Sequence, residues 1–148
     1  MSPLFGYGTF CRDAWRRRVF GADYAVEPAM LAGWRRAAAP SGYLSIVPDA
    51  SACVRGLAIV LDAAGWAIAD AWEDVPLYRR AAVEVTTERG LLSAVTYVYA
   101  HPGELDATPI AGDVFALIDE VSVEAALTHF APRMQAIRAA FGAGATLP

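Results

Sequence analysis

Two features of the sequence could do chemistry: a glycine turn near its start and an acidic residue near its middle. Gly6 and Gly8 flank Tyr7 directly after a short apolar run. A turn of this kind leaves backbone N–H groups without partners, and such groups can bind a carboxylate or a developing oxyanion. An ordinary connection between a strand and a helix has the same composition, so the turn by itself leaves both interpretations open.

The acidic residue is Glu73, which follows Trp72 in a segment with helical periodicity. Its neighbours Asp70 and Asp74 fall on the opposite flank, where solvated charges belong. A carboxylate beside aromatic surface is poorly solvated, and this raises its pKa toward the range that suits proton transfer. The alternative is a helix-end acid that pairs with one of the arginines at 79–80.

Other catalytic patterns are incomplete in this sequence. Residues 6–11 begin like a dinucleotide-binding fingerprint, but Cys11 occupies the position of the third glycine. A phosphate-binding Gly-Lys-Ser/Thr and a G-x-S-x-G nucleophile motif are both missing. Two isolated histidines and two cysteines without ligand spacing indicate no metal site. One alternative stays open, a thiol enzyme in which Cys11 is activated near a helix N-terminus.

The composition restricts the class of protein. The 148 residues, 56% of them apolar, suit one packed domain over residues 1–148. The net charge of -4 is unfavourable for binding a phosphate backbone, so we expect no nucleic-acid partner. The first residues carry no secretory signal, and the longest uncharged stretch is too short to span a membrane. We therefore expect a cytoplasmic protein in which Cys11 and Cys53 are reduced.

The spacing of apolar residues predicts the elements that position the two features. Residues 4–7 suit a buried strand, and the glycine turn then leads into a helix over residues 11–20 that ends at Gly21. Residues 63–74 predict a second helix, which Pro76 ends. Glu73 would then lie in the last turn of this helix.

The remaining segments predict mainly strands. Residues 77–86 and 91–100 indicate an antiparallel hairpin with Gly90 near a position of positive φ. Residues 26–60 consist of short apolar runs, which predicts several short strands separated by turns. The turns are expected at prolines and glycines, namely Pro28, Gly33, Pro40, Gly42 and Pro48.

The C-terminal part of the sequence predicts helices. Ser122 is suited to cap a helix that carries Leu127 and Phe130, and Pro132 is expected to start a second helical piece. Strands outnumber helices and short turns link most of them. The fold class is therefore α/β in the broad sense (α+β), with a mixed sheet that curls into a small barrel and a C-terminal helix.

Four of these segments, in this order, resemble the gamma-glutamylcyclotransferase-like superfamily. They are FGYGTF at residues 5–10, PAMLAGW at residues 28–34, VRGL at residues 54–57, and the acidic helix end AWED at residues 71–74, which is followed by YRRAAVEV at residues 78–85. The resemblance covers about two thirds of the chain. Phenylalanine stands where the family usually has leucine after the turn, and the family's Leu-Asp-x-x-Glu approach to the acid is altered.

The resemblance implies a small mixed barrel and a cofactor-independent cyclotransferase or lyase. The α-amine of a gamma-glutamyl compound would attack its own gamma-carbonyl and release 5-oxoproline with an amine or amino acid. Glu73 would be the acid/base. The turn formed by Tyr7, Gly8, Thr9 and Phe10 would hold the substrate.

Two further residues enter the predicted site through the resemblance. Tyr78 and Arg80 share one side of a strand, so they would line the pocket or orient Glu73, whereas Arg79 would point away. The resemblance implies no metal and no cofactor, and the expected partner is a small gamma-glutamyl substrate. The alternative is a non-catalytic binding or regulatory module that keeps the fold and its pocket without turnover.

Overall fold

The computed structural model describes residues 2–40, 44–106 and 120–141. Its strands and helices follow one another along the chain as β1 Leu4–Gly6, α1 Asp13–Phe20, β2 Val26–Ala38, β3 Leu44–Ile59, α2 Ala63–Trp72, β4 Tyr78–Thr87, β5 Gly90–Tyr99 and α3 Glu120–Phe141. Short 3-10 turns lie at Thr9–Cys11 and Pro102–Glu104.

The five strands form a closed barrel in the order β1-β3-β2-β4-β5. β1 runs antiparallel to β3 and parallel to β5, so the sheet is mixed. Closure between β1 and β5 is reinforced by the Val95 amide, which donates to the Pro3 carbonyl at 2.9 Å, and by the Thr96 hydroxyl, which donates to the Phe5 carbonyl at 2.8 Å. The predicted α+β class, with a mixed barrel and a C-terminal helix, is confirmed.

The backbones of β1 and β3 approach each other so closely that only glycine fits at position 56. A Cβ atom on Gly56 would lie 2.2 Å from the Gly6 carbonyl oxygen and 2.9 Å from the ring of Phe5. Neither neighbour can move easily, because one is backbone and the other is a fully buried ring. The glycine of the VRGL segment is therefore required by the packing of the barrel.

The predicted hairpin is present. β4 and β5 pair from Tyr78 opposite Tyr99 to Thr87 opposite Gly90, which leaves a two-residue connection. Gly90 has φ of 104°, a conformation that glycine adopts without steric penalty.

The prediction of several short strands over residues 26–60 is wrong, because β2 and β3 are long and pair along most of their length. Pro28 and Pro48 lie inside these strands at exposed positions, where a strand accepts proline if the ladder does not need its N–H. Gly33, with φ of 83°, marks a register shift within β2 and does not end the strand. The turn expected at residues 40–42 falls largely outside the described residues.

The helices follow their predicted ranges with differences at their ends. α1 starts at Asp13 because residues 9–11 form a separate 3-10 turn, and Gly21 ends it in the left-handed conformation at φ of 66°. α3 is continuous from Glu120 to Phe141. The predicted helix start at Ser122 and the break at Pro132 are therefore both wrong. A proline inside a helix removes one hydrogen bond, and here the packing of α3 against α1 and α2 outweighs that loss.

Two hydrophobic clusters stabilise the fold, one on each side of the sheet. There are two because successive side chains of a strand point to opposite sides of the sheet. One cluster consists of strand residues inside the barrel and includes Phe5, Leu31, Ile46, Val54, Val85 and Val98. The other packs the helices against the outer side of the sheet and includes Leu4, Trp15, Val19, Ile59, Ile68, Leu127 and Met134. Among the helices that the structure describes, none combines the length and apolarity that a membrane crossing requires.

Replacing Gly56 by alanine should destabilise the protein by about 1–3 kcal/mol or more, because the new methyl group must displace the backbone of β1. Gly103→Ala is the matched control, since a Cβ there meets no atom within 4 Å in the part of the chain that the structure describes, and it should change the stability by less than about 0.5 kcal/mol. Urea denaturation of both variants measures the difference. Equal stability of the two variants would contradict the close approach of β1 and β3.

Candidate active site

The glycine turn begins with Tyr7, whose side chain is anchored inside the protein. The Tyr7 hydroxyl donates to the Tyr97 carbonyl at 2.6 Å, and the ring is buried within the cluster that fills the barrel. From outside the turn, Arg36 Nε donates to the Tyr7 carbonyl at 3.2 Å. Both ends of the residue are thus fixed, and the turn that follows is held in one position.

The turn presents backbone donors. The Cys11 amide donates to the Gly8 carbonyl at 3.0 Å and the Arg12 amide to the Thr9 carbonyl at 3.1 Å, which forms the 3-10 turn. Within the described chain, the amides of Gly8, Thr9 and Phe10 have no such acceptor, as is usual for the first amides of a helical turn. A Cβ on Gly8 would meet no atom of the described residues within 4 Å, so none of them fills the space beside the turn.

The side chain of Phe10 does not line a pocket. Its ring is 3% exposed and packs against Phe20 with ring centroids 5.1 Å apart. Phe10 can therefore contribute to a site only through its backbone.

Cys11 is also placed differently from the thiol-enzyme alternative. Its side chain is buried, and the Sγ–H donates to the Gly6 carbonyl at 3.2 Å. This bond requires the protonated thiol, so it opposes the thiolate that nucleophilic catalysis needs. The geometry does not favour a thiol mechanism.

Glu73 lies at the C-terminal end of α2, as its capping residue, with its amide bonded to the Ala69 carbonyl at 2.9 Å. The side chain is half-buried. Burial raises the pKa of Glu73 to about 7; the positive charge of Arg133 lowers it, and the negative charge of Asp74 raises it further. A carboxyl group with this pKa is present in both protonation states near neutral pH.

Glu73 and the turn lie within electrostatic reach of each other. Burial raises the pKa of Tyr7 well above its usual value, and the Glu73 carboxylate adds to this effect. Burial, together with Asp70, also raises the pKa of Tyr97, and Glu73 contributes there as well. The Glu73 carboxylate therefore acts on the first residue of the turn, although the two are far apart in sequence.

Arg80 does not orient Glu73, because it pairs with a different acid. Arg80 donates from Nε and from a terminal nitrogen to the two oxygens of Asp70 at 2.9 and 2.8 Å, and its guanidinium lies 4.5 Å from the centre of the Trp66 ring. The Tyr97 hydroxyl donates to the same carboxylate at 2.6 Å. Asp70 is consequently a structural acceptor and not the solvated charge that its spacing predicts, while Arg79 is exposed as predicted.

Tyr78 is held in place by one aromatic contact and one hydrogen bond. Its ring packs against Tyr99 at 5.4 Å in an edge-to-face arrangement, and its hydroxyl donates to the Leu44 carbonyl at 3.1 Å. Tyr78 also acts electrostatically on Tyr7, which places it close to the turn. A role in lining the site is compatible with this position and remains a prediction.

Arg133 is the residue near Glu73 that the sequence did not indicate. From α3 it donates to the Trp72 carbonyl at 2.7 Å and pairs with Asp74 at 3.1 Å, and its guanidinium lies 4.9 Å from the centre of the Trp72 ring. Sixty-one residues separate Arg133 from Trp72, so no local pattern could reveal the contact. Among the residues that the structure describes, no group of three or more acidic, histidine or cysteine side chains could hold a metal ion.

The fold and these residues define a class of protein, namely small α+β barrels in which a glycine turn after the first strand lies near an acidic helix end. A family model described as gamma-glutamyl cyclotransferase, AIG2-like, matches residues 4–116, which is well over half of the chain. The chain belongs to this family. No curated protein sequence matches it significantly.

Solved structures share the fold at low sequence identity. The Arabidopsis thaliana protein At3g28950.1 matches with a TM-score of 0.66 and 19% identity, over 99% of this chain and 90% of that chain. At5g39720.1, from the same plant, matches with a TM-score of 0.63 and 19% identity, over 91% of each chain. A structure described as gamma-glutamyl cyclotransferase matches with a TM-score of 0.60 and 15% identity, over 90% of this chain and 85% of that one. These likenesses establish the fold alone.

The Glu73→Gln variant should be more stable than the unmodified protein at high pH. The pKa of Glu73 is raised from 4.5 to about 7 in the folded chain, so its ionisation opposes folding increasingly between these values and fully above them. Glutamine has no such ionisation. We expect the variant and the unmodified protein to have equal free energies of unfolding at about pH 4. At about pH 8 the variant should be more stable by about 1–3 kcal/mol, as measured by urea denaturation.

The control is Glu84→Gln, the same change at an exposed position of β4, which should leave the stability nearly constant across this pH range. A loss of stability in Glu73→Gln near about pH 8 would indicate instead that the carboxylate serves a structural ion pair.

Proposed function

We propose that the protein is a gamma-glutamyl cyclotransferase, which converts a gamma-glutamyl amine or gamma-glutamyl amino acid into 5-oxoproline and the free amine or amino acid. One observation carries the proposal: the half-buried carboxyl group of Glu73, with a pKa of about 7, acts electrostatically on Tyr7, the first residue of a turn that presents backbone donors. Membership of the family supports the same activity.

The reaction needs a proton acceptor and a proton donor in turn. The α-ammonium group of the substrate gives a proton to the Glu73 carboxylate, and the resulting amine attacks the gamma-carbonyl carbon to form the new C–N bond. The protonated Glu73 then returns the proton to the leaving nitrogen as the original C–N bond breaks. After the attack the new lactam nitrogen still carries one excess proton, which Glu73, again a carboxylate, accepts and passes to the released amine, so that the amine departs as an ammonium ion. Two protons thus leave the attacking nitrogen and two reach the leaving nitrogen, and one carboxyl group completes the cycle without a cofactor.

The pKa of Glu73 suits both steps. An ordinary glutamate is almost fully ionised at neutral pH and is a poor proton donor, whereas a group with a pKa of about 7 exchanges protons readily in either direction. Partial burial is the physical cause, since it disfavours the charged form of the carboxyl group.

The turn would stabilise negative charge on the substrate. The Gly8 and Thr9 amides are suited to donate to the glutamyl carboxylate or to the oxyanion that forms on the gamma-carbonyl oxygen. The Tyr7 hydroxyl is already bonded to the Tyr97 carbonyl, so Tyr7 would position the turn and not bind the substrate through its hydroxyl. Closure of a five-membered ring within one molecule lowers the barrier further, because the reacting atoms are held close together.

Glu73→Gln should separate binding from turnover. Glutamine keeps the shape of the side chain but cannot accept the proton, so release of 5-oxoproline should fall by about a hundredfold to ten-thousandfold. Substrate affinity should change much less, because the turn remains intact. The assay uses a panel of gamma-glutamyl dipeptides and gamma-glutamyl amines, with Glu84→Gln as the matched control that keeps full activity. Normal turnover in folded Glu73→Gln would remove Glu73 from the mechanism.

The same assay decides between an enzyme and a binding module. Substrate binding to the unmodified protein without any release of 5-oxoproline, across the whole panel, would favour the non-catalytic module. Calorimetric titration with the same compounds supplies the binding measurement.

The dependence of kcat/KM on pH should report the ionisation of Glu73. The carboxylate is the active form in the free enzyme, so kcat/KM should rise with pH and level off above about 7. A midpoint near 4.5, the ordinary value for glutamate, would contradict the raised pKa on which the mechanism depends.

A further inference from the structure

α3 contacts the candidate site through Arg133. Arg133 donates to the carbonyls of Trp72 and Ala71, at 2.7 and 3.4 Å, and both belong to the last turn of α2. It also pairs with Asp74, the residue that follows Glu73, at 3.1 Å. The family match ends at residue 116, so this contact comes from a part of the chain that the family model does not cover.

We propose that Arg133 is a positioning residue of the Glu73 site, which fixes the C-terminal end of α2 and holds a positive charge beside the Glu73 carboxylate. The last carbonyls of a helix have no partners within the helix and carry partial negative charge, which disfavours a nearby carboxylate. Arg133 binds two of these carbonyls. It thereby orders the residue that caps the helix and offsets the negative potential there.

The effect of Arg133 on the ionisation of Glu73 can be measured, because the described residues supply few other charges near Glu73. From the described residues, two charged groups act on Glu73: Arg133 from α3, which favours the ionised carboxyl group, and Asp74 from its own turn, which opposes it. Tyr7 from the turn and Tyr97 from β5 are also in electrostatic reach, but burial keeps both hydroxyls neutral. Asp70, on α2, is paired with Arg80 from β4.

The contact requires arginine and not merely a positive charge. A planar guanidinium can donate to a carbonyl and a carboxylate at once while stacking on an aromatic ring, as Arg133 does on Trp72. A lysine ammonium group is a compact charge on a flexible stem, and it lacks the fork that joins these partners. Arg133→Lys should therefore keep only part of the effect.

The test is a pH titration in which NMR follows the signal of the Glu73 carboxyl carbon. This signal is assigned by comparison with Glu73→Gln, in which it is absent. In Arg133→Met the titration midpoint should move upward by about 0.5–1 pH unit. The shift is modest because the Arg133 side chain is 36% exposed, so water screens its charge. Arg133→Lys should move it upward by less. Asp74→Asn should move it downward, and asparagine tolerates the positive φ of 54° at this position.

The control is Arg79→Gln, an exposed arginine on β4, which should leave the midpoint unchanged. An unchanged midpoint in Arg133→Met would overturn the proposal; if that variant does not fold, an unchanged midpoint in Arg133→Lys does so. The titration needs no turnover, so a shifted midpoint in an inactive protein would refute the proposed function and leave the role of Arg133 standing.

The kinetic consequence rests on the proposed function. At about pH 6, Arg133→Met should lower kcat/KM by about three- to tenfold, because the ionised fraction of Glu73 falls by that factor when its midpoint rises by about 0.5–1 pH unit. At about pH 9, well above the midpoint, the loss in kcat/KM should be smaller, because Glu73 is ionised in both proteins. An equal loss at both pH values would indicate a general structural defect and would contradict the charge effect.

Discussion

The contact between the backbones of β1 and β3 determines how the barrel closes. β1 is three residues long, yet it pairs with β3 on one side and β5 on the other, so the closure of the barrel depends on this short segment. At Gly56 the approach leaves no room for a side chain. Because the glycine turn follows β1 directly, the same contact determines where Tyr7 and its neighbours lie.

The site forms where two parts of the chain with different constraints meet. The turn is rigid, since Tyr7 is held through its hydroxyl by β5 and through its carbonyl by Arg36. Glu73, in contrast, occupies a helix end, where partial burial and the neighbouring carboxylate of Asp74 both disfavour its charge. The fold tolerates this unfavourable position of a carboxylate, and a raised pKa is the result. The chemical usefulness of Glu73 and its effect on stability have the same physical origin.

Features that depend on neighbouring residues could be predicted from the sequence. The hairpin around Gly90, the helix end at Gly21 and the partly apolar position of Glu73 each follow from a few adjacent residues. Features that depend on contacts between residues far apart in the sequence could not be predicted. Pro28 suggests a turn, but pairing with β3 extends the strand through it.

The charged residues of the candidate site illustrate the same limit. Spacing on α2 assigns Asp70 to solvent, whereas Tyr97 and Arg80 from the hairpin both bond to it. Tyr97 itself has two separate attachments. Its main-chain carbonyl receives the hydroxyl of Tyr7, and its own hydroxyl reaches Asp70. The bond that holds the turn is therefore indifferent to which amino acid occupies position 97, whereas the second bond, to Asp70 on α2, requires the tyrosine hydroxyl. A substitution at this one position therefore removes one of the attachments of α2 to the hairpin and leaves the attachment of the turn in place.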